Sequence, residues 1–302
     1  MLDLWIPVTI TAAFLQCMRT ALQKRLTRSL SAEGANFVRY VYGAPIALAL
    51  LVVLAKGLGR ELPMPNTASL IYGAIGGLAQ IGATSLLIRA FTYRSFAVGT
   101  TYSKTDTMQA AILAALVLGE SLDLWGWVAI LIGFAGILVM SRTSAAGAGS
   151  WRETGAGRAA AIGLASGSLF GVSAVAIRAS ALSLPLGSDI ERAAVTLATT
   201  TLLQTLMMAA FLGARDPRQM TEVLRQWPRT LPVGVLSVAG SAFWFLGMTL
   251  ENAALVRALG QIELVFIYVA SHWLFRERAT TGETAGILLV AGSVVLLILH
   301  YN

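Results

Sequence analysis

Cysteine and histidine are nearly absent from this chain. Cys17 is the single cysteine, and His272 and His300 are the only histidines in 302 residues. One cysteine excludes an intrachain disulfide and a thiolate metal cluster, and two histidines cannot build a His-rich metal site. Charge is also scarce: Asp, Glu, Lys and Arg make up 12% of the residues, against about 25% in a soluble domain. That leaves too little polar surface to cover a water-soluble body of this size. No Gly-rich loop ends in Lys with Ser or Thr, which excludes a Walker-type ATPase module, and no HExxH motif occurs. No cofactor is expected, and the chain does not read as an enzyme.

Apolar residues are what the chain has in excess, at 56%, with a mean hydropathy of +0.72. Gly 29 against Pro 8 suits closely packed membrane helices, where small residues let backbones approach. The net charge of +7 does not indicate nucleic acid, because the basic residues are spread over short loops, as in the encoding of membrane orientation. Met1 to Pro7 carries an acid and no basic run, so a cleaved secretory signal is not expected.

A helix rises about 1.5 Å per residue, so about 20 apolar residues cross a bilayer core. Ten stretches meet that length, near 4–23, 34–55, 67–88, 95–118, 123–141, 159–179, 191–213, 230–250, 253–275 and 282–300. The expected fold is an all-α integral membrane protein of ten transmembrane helices. The loops after the odd-numbered spans hold Lys24, Arg25, Arg28, Arg89, Arg94, Arg142, Arg152, Arg158, Arg215, Arg218, Arg225, Arg229, Arg276 and Arg278, against Lys56, Arg60, Arg192 and Arg257 opposite. The basic side is expected to face the cytoplasm, with both termini outside it. Met220, Val223 and Leu224 are spaced for one face of a short surface helix between Arg215 and Arg229. Trp5, Trp125, Trp127, Trp151 and Trp227 fall near span ends and read as interfacial residues.

A shift of 157 positions relates the halves, carrying Gly77 onto Gly234, Ile130 onto Ile287 and Glu120 onto Glu277. With five spans in each copy, the second copy enters the membrane inverted, and binding is expected near the midplane between copies. The expected organisation is a first repeat over 1–141, a Ser/Ala/Gly-rich linker over 142–157 and a second repeat over 158–302.

The segment Leu116-Val117-Leu118-Gly119-Glu120-Ser121-Leu122 leads into Gly126, Gly133 and Gly136. Its counterpart Leu274-Phe275-Arg276-Glu277-Arg278 leads into Glu283, Gly286 and Gly292. With Arg39 and Pro45 in span two, this pattern resembles the drug/metabolite transporter superfamily, in particular its ten-span EamA-type branch. The resemblance implies secondary transport of small organic metabolites across a bacterial inner membrane. It also implies a central cavity lined by spans one, three, four, six, eight and nine, with spans five and ten peripheral. Leu264 stands where family members often have proline, so span nine is expected to be straighter. The small four-span multidrug relatives carry a glutamate in the first span. Span one here has Gln16, Cys17, Arg19 and Gln23 instead, which departs from proton-driven export of lipophilic cations.

Charged groups inside spans usually face a cavity or a partner. Span four carries Tyr102, Lys104 and Asp106. The 157-residue shift places Asp106 on Glu263 and Lys104 on Gln261. A carboxylate at that place can bind an ammonium group or carry a proton. Equally, Asp106 can form a fixed pair with Lys104 or Arg19, and Glu263 with Arg257 or a backbone donor. Arg19 can clamp a carboxylate or phosphate, whereas Arg39 and Arg178 read as span-end residues that snorkel to headgroups. Gln80, Tyr102 and Trp244 are cavity candidates. Acid and base near one cavity favour an amino-acid-like or other zwitterionic or amphipathic solute. The alternative is a flippase for a lipid-linked substrate. The remaining partners expected are the bilayer and no nucleic acid, with the chain a monomer or a homodimer. Gly282 and Gly286 permit a close contact, between halves or between protomers.

Overall fold

A computed structural model describes residues 3–93, 103–146, 156–274 and 280–302. The elements are α1 (Trp5–Leu26), α2 (Ala32–Val52, running into a π-helical turn Val53–Gly57), α3 (Thr67–Tyr93), α4 (Asp106–Leu118), α5 (Leu124–Ala146) and α6 (Ala156–Leu182). They continue with α7 (Asp189–Arg215), α8 (Pro217–Arg225), α9 (Trp227–Leu250), α10 (Ala253–Leu259), α11 (Ile262–Leu274) and α12 (Thr281–His300). Local chemistry sets several ends. Ser188 with Glu191, and Thr280 with Glu283, form reciprocal capping boxes at α7 and α12. Asn252 accepts from the Ala254 N–H at 2.8 Å to start α10. Gly119 ends α4 in the left-handed region at φ 67°, which a side chain would oppose.

Among the described residues six helices are long and apolar enough to cross a membrane: Ala32–Gly57, Thr67–Arg89, Ala161–Leu182, Asp189–Arg215, Trp227–Leu250 and Thr281–His300. This corrects the expectation of ten transmembrane helices in two inverted five-helix repeats. The shortfall has local causes. α1 is diluted by Gln16, Arg19, Gln23, Lys24 and Arg25. α4 is described as a helix of 13 residues, about 20 Å at 1.5 Å per residue. The ninth stretch divides at Gly260–Gln261 into α10 and α11.

That division corrects a second expectation, a straighter ninth span. The break needs no proline. The Glu263 N–H bonds back to the Gly260 carbonyl at 3.1 Å and the Leu264 N–H to that of Gln261 at 2.9 Å, the tight i to i−3 pattern of a helix terminus. At the break the ring of Trp244 packs against Gly260, in the space that a side chain there would fill.

In the bundle α3 lies along α6, α1 along α9, α2 against α7 and α9, and α5 against α12. α4 rests on α6, and α11 on α1. Glycine sets the closest approaches. A Cβ on Gly286 would meet the Gly136 carbonyl oxygen at 2.6 Å, and one on Gly136 would meet that of Gly286 at 2.7 Å. Gly286 therefore joins α12 to α5 within the chain, which resolves the alternatives left by its spacing. Short α8 sits where the amphipathic pattern placed it, with Val223 buried and Leu224 exposed. Gln219 of α8 accepts from the Ser31 N–H at 2.9 Å, which fixes α8 to the start of α2. Outward, Phe14, Leu78, Leu116, Leu206, Leu288 and Leu299 stand open. So much exposed apolar surface suits a lipid environment and not water. Of the tryptophans read as interfacial, Trp125 and Trp227 are exposed and Trp5 is buried.

Candidate functional site

Buried charge concentrates around the α10–α11 break. Lys104 lies in the turn that leads into α4, and Asp106 in the first turn of α4. Glu263 holds the same place in α11, and Arg257 lies in the last turn of α10. Both carboxylates thus stand at helix N-termini and the guanidinium at a C-terminus, the ends whose dipoles favour each sign. Gly167 and Gly171 of α6 make the first placement possible. A Cβ on Gly167 would meet the Ser103 carbonyl oxygen at 2.8 Å, and one on Gly171 would meet the Ala110 nitrogen at 3.2 Å. The backbone from Ser103 to Ala110 is therefore seated directly on α6.

Two ion pairs tie these segments together. Lys104 pairs with Glu263, and Arg257 with Asp106, all four nearly inaccessible. Gln16 of α1 donates to Glu263 Oε2 at 2.8 Å. Gln261 donates to Thr107 Oγ1 at 3.0 Å, and Thr107 Oγ1 to the Arg257 carbonyl at 3.4 Å. The Arg257 guanidinium also lies 4.9 Å from the Trp244 ring centroid and 5.6 Å from that of Phe170, within cation–π range. The pairing differs from each fixed pair expected from sequence. Asp106 takes Arg257 in place of Lys104 or Arg19, and Glu263 takes Lys104 in place of Arg257.

Beside this cluster lies a cavity lined by Gln16, Arg19, Arg39, Gln80, Trp244 and Arg257, with Phe170 and Ser173 from α6. Its volume is about 20 Å³, room for about one water, so in this conformation the site is nearly closed. Arg39 donates to Thr84 and Arg19 to Thr20 Oγ1 at 3.2 Å. Gln80 accepts from Gln204 at 2.9 Å. Among the described residues no lining residue comes from α5 or α12.

Of the residues singled out in the sequence, Arg19, Gln80 and Trp244 share the cavity, and Lys104, Asp106, Gln261 and Glu263 share the charged cluster. Gln16 and Arg257 touch both. Tyr102 lies outside the described residues. Sequence reasoning counted Arg257 with the loop cations and offered it only as a partner of Glu263, and it read Arg39 as a snorkelling residue, whereas Arg39 is 4% exposed and central. Phe170 was missed. Arg257 had one visible signal: it is the lone cation in the apolar run from Ala253 to Ala270. Arg178 does not snorkel either. It donates to Glu120 Oε1 at 2.6 Å and to the Met248 and Glu251 carbonyls, joining the end of α9 to the loop after α4. Glu277, its sequence counterpart, lies outside the described residues.

Apolar helices closed around paired buried charges and a small polar cavity form a multi-pass membrane protein of the carrier type. The chain belongs to the EamA-like transporter family, whose sequence model matches residues 3–142 and again residues 158–299. It is a membrane transporter of that type. One solved crystal structure of a protein superposes with a TM-score of 0.72 over 98% of this chain and 97% of the other, at 17% identity, a likeness of fold alone. Among curated proteins no sequence matches.

Proposed function

We propose that this protein is a secondary active transporter. It carries a small amphipathic organic solute across a bacterial inner membrane by exposing the central cavity alternately to each side. The observation that supports this reading is the union of a nearly closed polar cavity with two buried ion pairs at a broken helix. Buried ion pairs contribute little net stability compared with apolar packing, but they offer discrete alternative partners when helices move. Trp244 and Phe170 suit an apolar portion of the solute, and Gln16, Gln80 and the cations its polar end. Protonation of Glu263 or Asp106 would release Lys104 or Arg257, which gives a route for coupling to a proton gradient.

The test is solute uptake into vesicles containing the purified protein, with and without an imposed pH gradient. Glu263→Gln and Asp106→Asn are each expected to lower flux by about tenfold or more, the scale of a lost charged hydrogen bond. Flux unchanged in both variants would remove these carboxylates from the mechanism. A lipid-linked substrate is the second reading, favoured by an apolar groove lined by Ile75, Leu78, Leu169, Val172, Met207 and Phe211. Fluorescent-lipid movement in the same vesicles separates the two.

Orientation follows from one basic end. Arg89 pairs with Glu33 there, and Ser29 bonds Gln226 at 2.9 Å, bringing the ends of α1 and α3 to the starts of α2 and α9. We place this end in the cytoplasm, and both termini opposite. In a Cys17→Ser background, Arg28→Cys is expected to be labelled only from the cytoplasmic side and Leu58→Cys only from outside. Labelling of both positions from one side would refute this orientation.

A further inference from the structure

We propose that the cavity binds an organic anion, its carboxylate or phosphate group taken by Arg19 and Arg39. This rests on the transport reading above and names the substrate class of the same site. The buried ionisable groups at the centre of the bundle are Arg19, Arg39, Lys104 and Arg257 against Asp106 and Glu263. The two carboxylates are already engaged, Glu263 by Lys104 and Gln16, Asp106 by Arg257. Glu263 is also the carboxylate that acts on Arg19 through space, but its hydrogen bonds go elsewhere.

Arg19 and Arg39 are left with neutral partners, the hydroxyls of Thr20 and Thr84 and, for Arg39, the Tyr40 ring at 5.2 Å. The Nε of each has no hydrogen-bond partner among the described residues. Both are 4% exposed and both line the same cavity. The Nε atoms of Arg192 and Arg257 are likewise unpartnered, but Arg257 and Arg178 each have a carboxylate, Asp106 and Glu120, which Arg19 and Arg39 lack. An uncompensated buried guanidinium is strongly unfavourable, and a pair of them facing one cavity is complementary to an oxyanion. Guanidinium forks match carboxylate and phosphate geometry.

Among the described residues the cavity lining contains no carboxylate, so no lining group there offers an ammonium a counter-charge. The zwitterionic solute expected from the sequence therefore gives way to an anion. Gln16, Gln80, Trp244 and Phe170 would contact its neutral remainder. Because the cavity has room for only about one water, binding requires it to widen, which alternation between two open states provides.

The experiment uses the purified full-length protein with four probes: succinate and glycerol 3-phosphate as anions, glutamine as a zwitterion and choline as a cation. Binding is read as a shift in thermal unfolding, and flux by uptake into vesicles. At least one anion is expected to raise the unfolding temperature and to be taken up, and the one that acts identifies carboxylate or phosphate as the group bound. Arg19→Gln and Arg39→Gln are each expected to weaken that anion's binding by about tenfold or more. Each should also leave the empty protein as stable as the parent or more so, since a buried unpaired charge is removed; a purely structural arginine would lower stability instead. Arg19→Lys should retain part of the binding.

Preference for glutamine or choline over both anions would overturn the inference while leaving transport intact. So would anion binding that neither Arg→Gln variant changes. If no probe crosses the membrane, the transport reading fails for these solutes. The thermal shift then decides the anion site alone: an Arg19-dependent anion shift upholds it, and no shift overturns it.

Discussion

Asp106→Asn is expected to destabilise the protein in detergent by about 3–5 kcal/mol, the cost of removing one partner from a buried ion pair. Asp106 is fully buried, and its partner Arg257 comes from a segment about 150 residues away in the chain. The asparagine leaves the guanidinium without its counter-charge between α4, α6 and α10. The Trp244 and Phe170 rings still face Arg257, but cation–π attraction of about 1–2 kcal/mol offsets only part of the loss. Arg257→Gln strands the carboxylate instead and has no ring contact to fall back on. The double variant Asp106→Asn/Arg257→Gln removes both charges and is expected to recover most of the stability. Chemical unfolding of the four proteins measures the coupling directly. Losses that simply add in the double variant would mean that the pair is not coupled in the folded protein.

Gly167→Leu is expected to have the second large effect. A Cβ alone at this position meets the Ser103 carbonyl oxygen at 2.8 Å and Thr105 Oγ1 at 2.7 Å. Backbone cannot rotate away as a side-chain tip can, so the turn carrying Lys104 must lift off α6. Overpacking of this kind costs about 1–3 kcal/mol. The functional loss should be larger than the stability loss, because displacement of Ser103–Asp106 misaligns both ion pairs together. Gly292→Leu is the control: nothing lies within 4 Å of a Cβ there, and both stability and flux should be unchanged. Equal behaviour of the two variants would show that α4 is not seated on the α6 glycines.

These two experiments address features that differed in legibility. Lys104, Asp106 and Glu263 were visible as charges inside apolar runs, because a charge in hydrocarbon is anomalous wherever it occurs. Which partner each charge takes was not legible. Helical periodicity assigns a side chain to a face, but not to the helix that covers that face. Arg257 and Arg39 were misplaced for a related reason. Span ends drawn from hydropathy drift by a few residues, enough to turn a central arginine into an interfacial one.

The interruption at Gly260–Gln261 was hidden as well. Leu264 in place of proline suggested continuity, but Gly260 is shaped by the ring of Trp244 on another helix, and no local pattern records that contact. The count of six among the described residues diverged from ten partly because polar residues dilute α1 and partly because a spanning helix needs unbroken length. α10 and α11 together have the residues for one span and are separate helices.

From sequence alone came the lipid-embedded helical class, the transporter family and the positions of charges too costly to be accidental. All of these depend on composition and short-range order, which each residue carries with it. The tertiary structure alone decided that the carboxylates are neutralised crosswise, that two arginines share a cavity without a counter-charge, and that a helix stops at Gly260. The free energy of a buried charge or a close backbone contact depends on what stands within a few ångströms in space, and those neighbours come from remote parts of the chain.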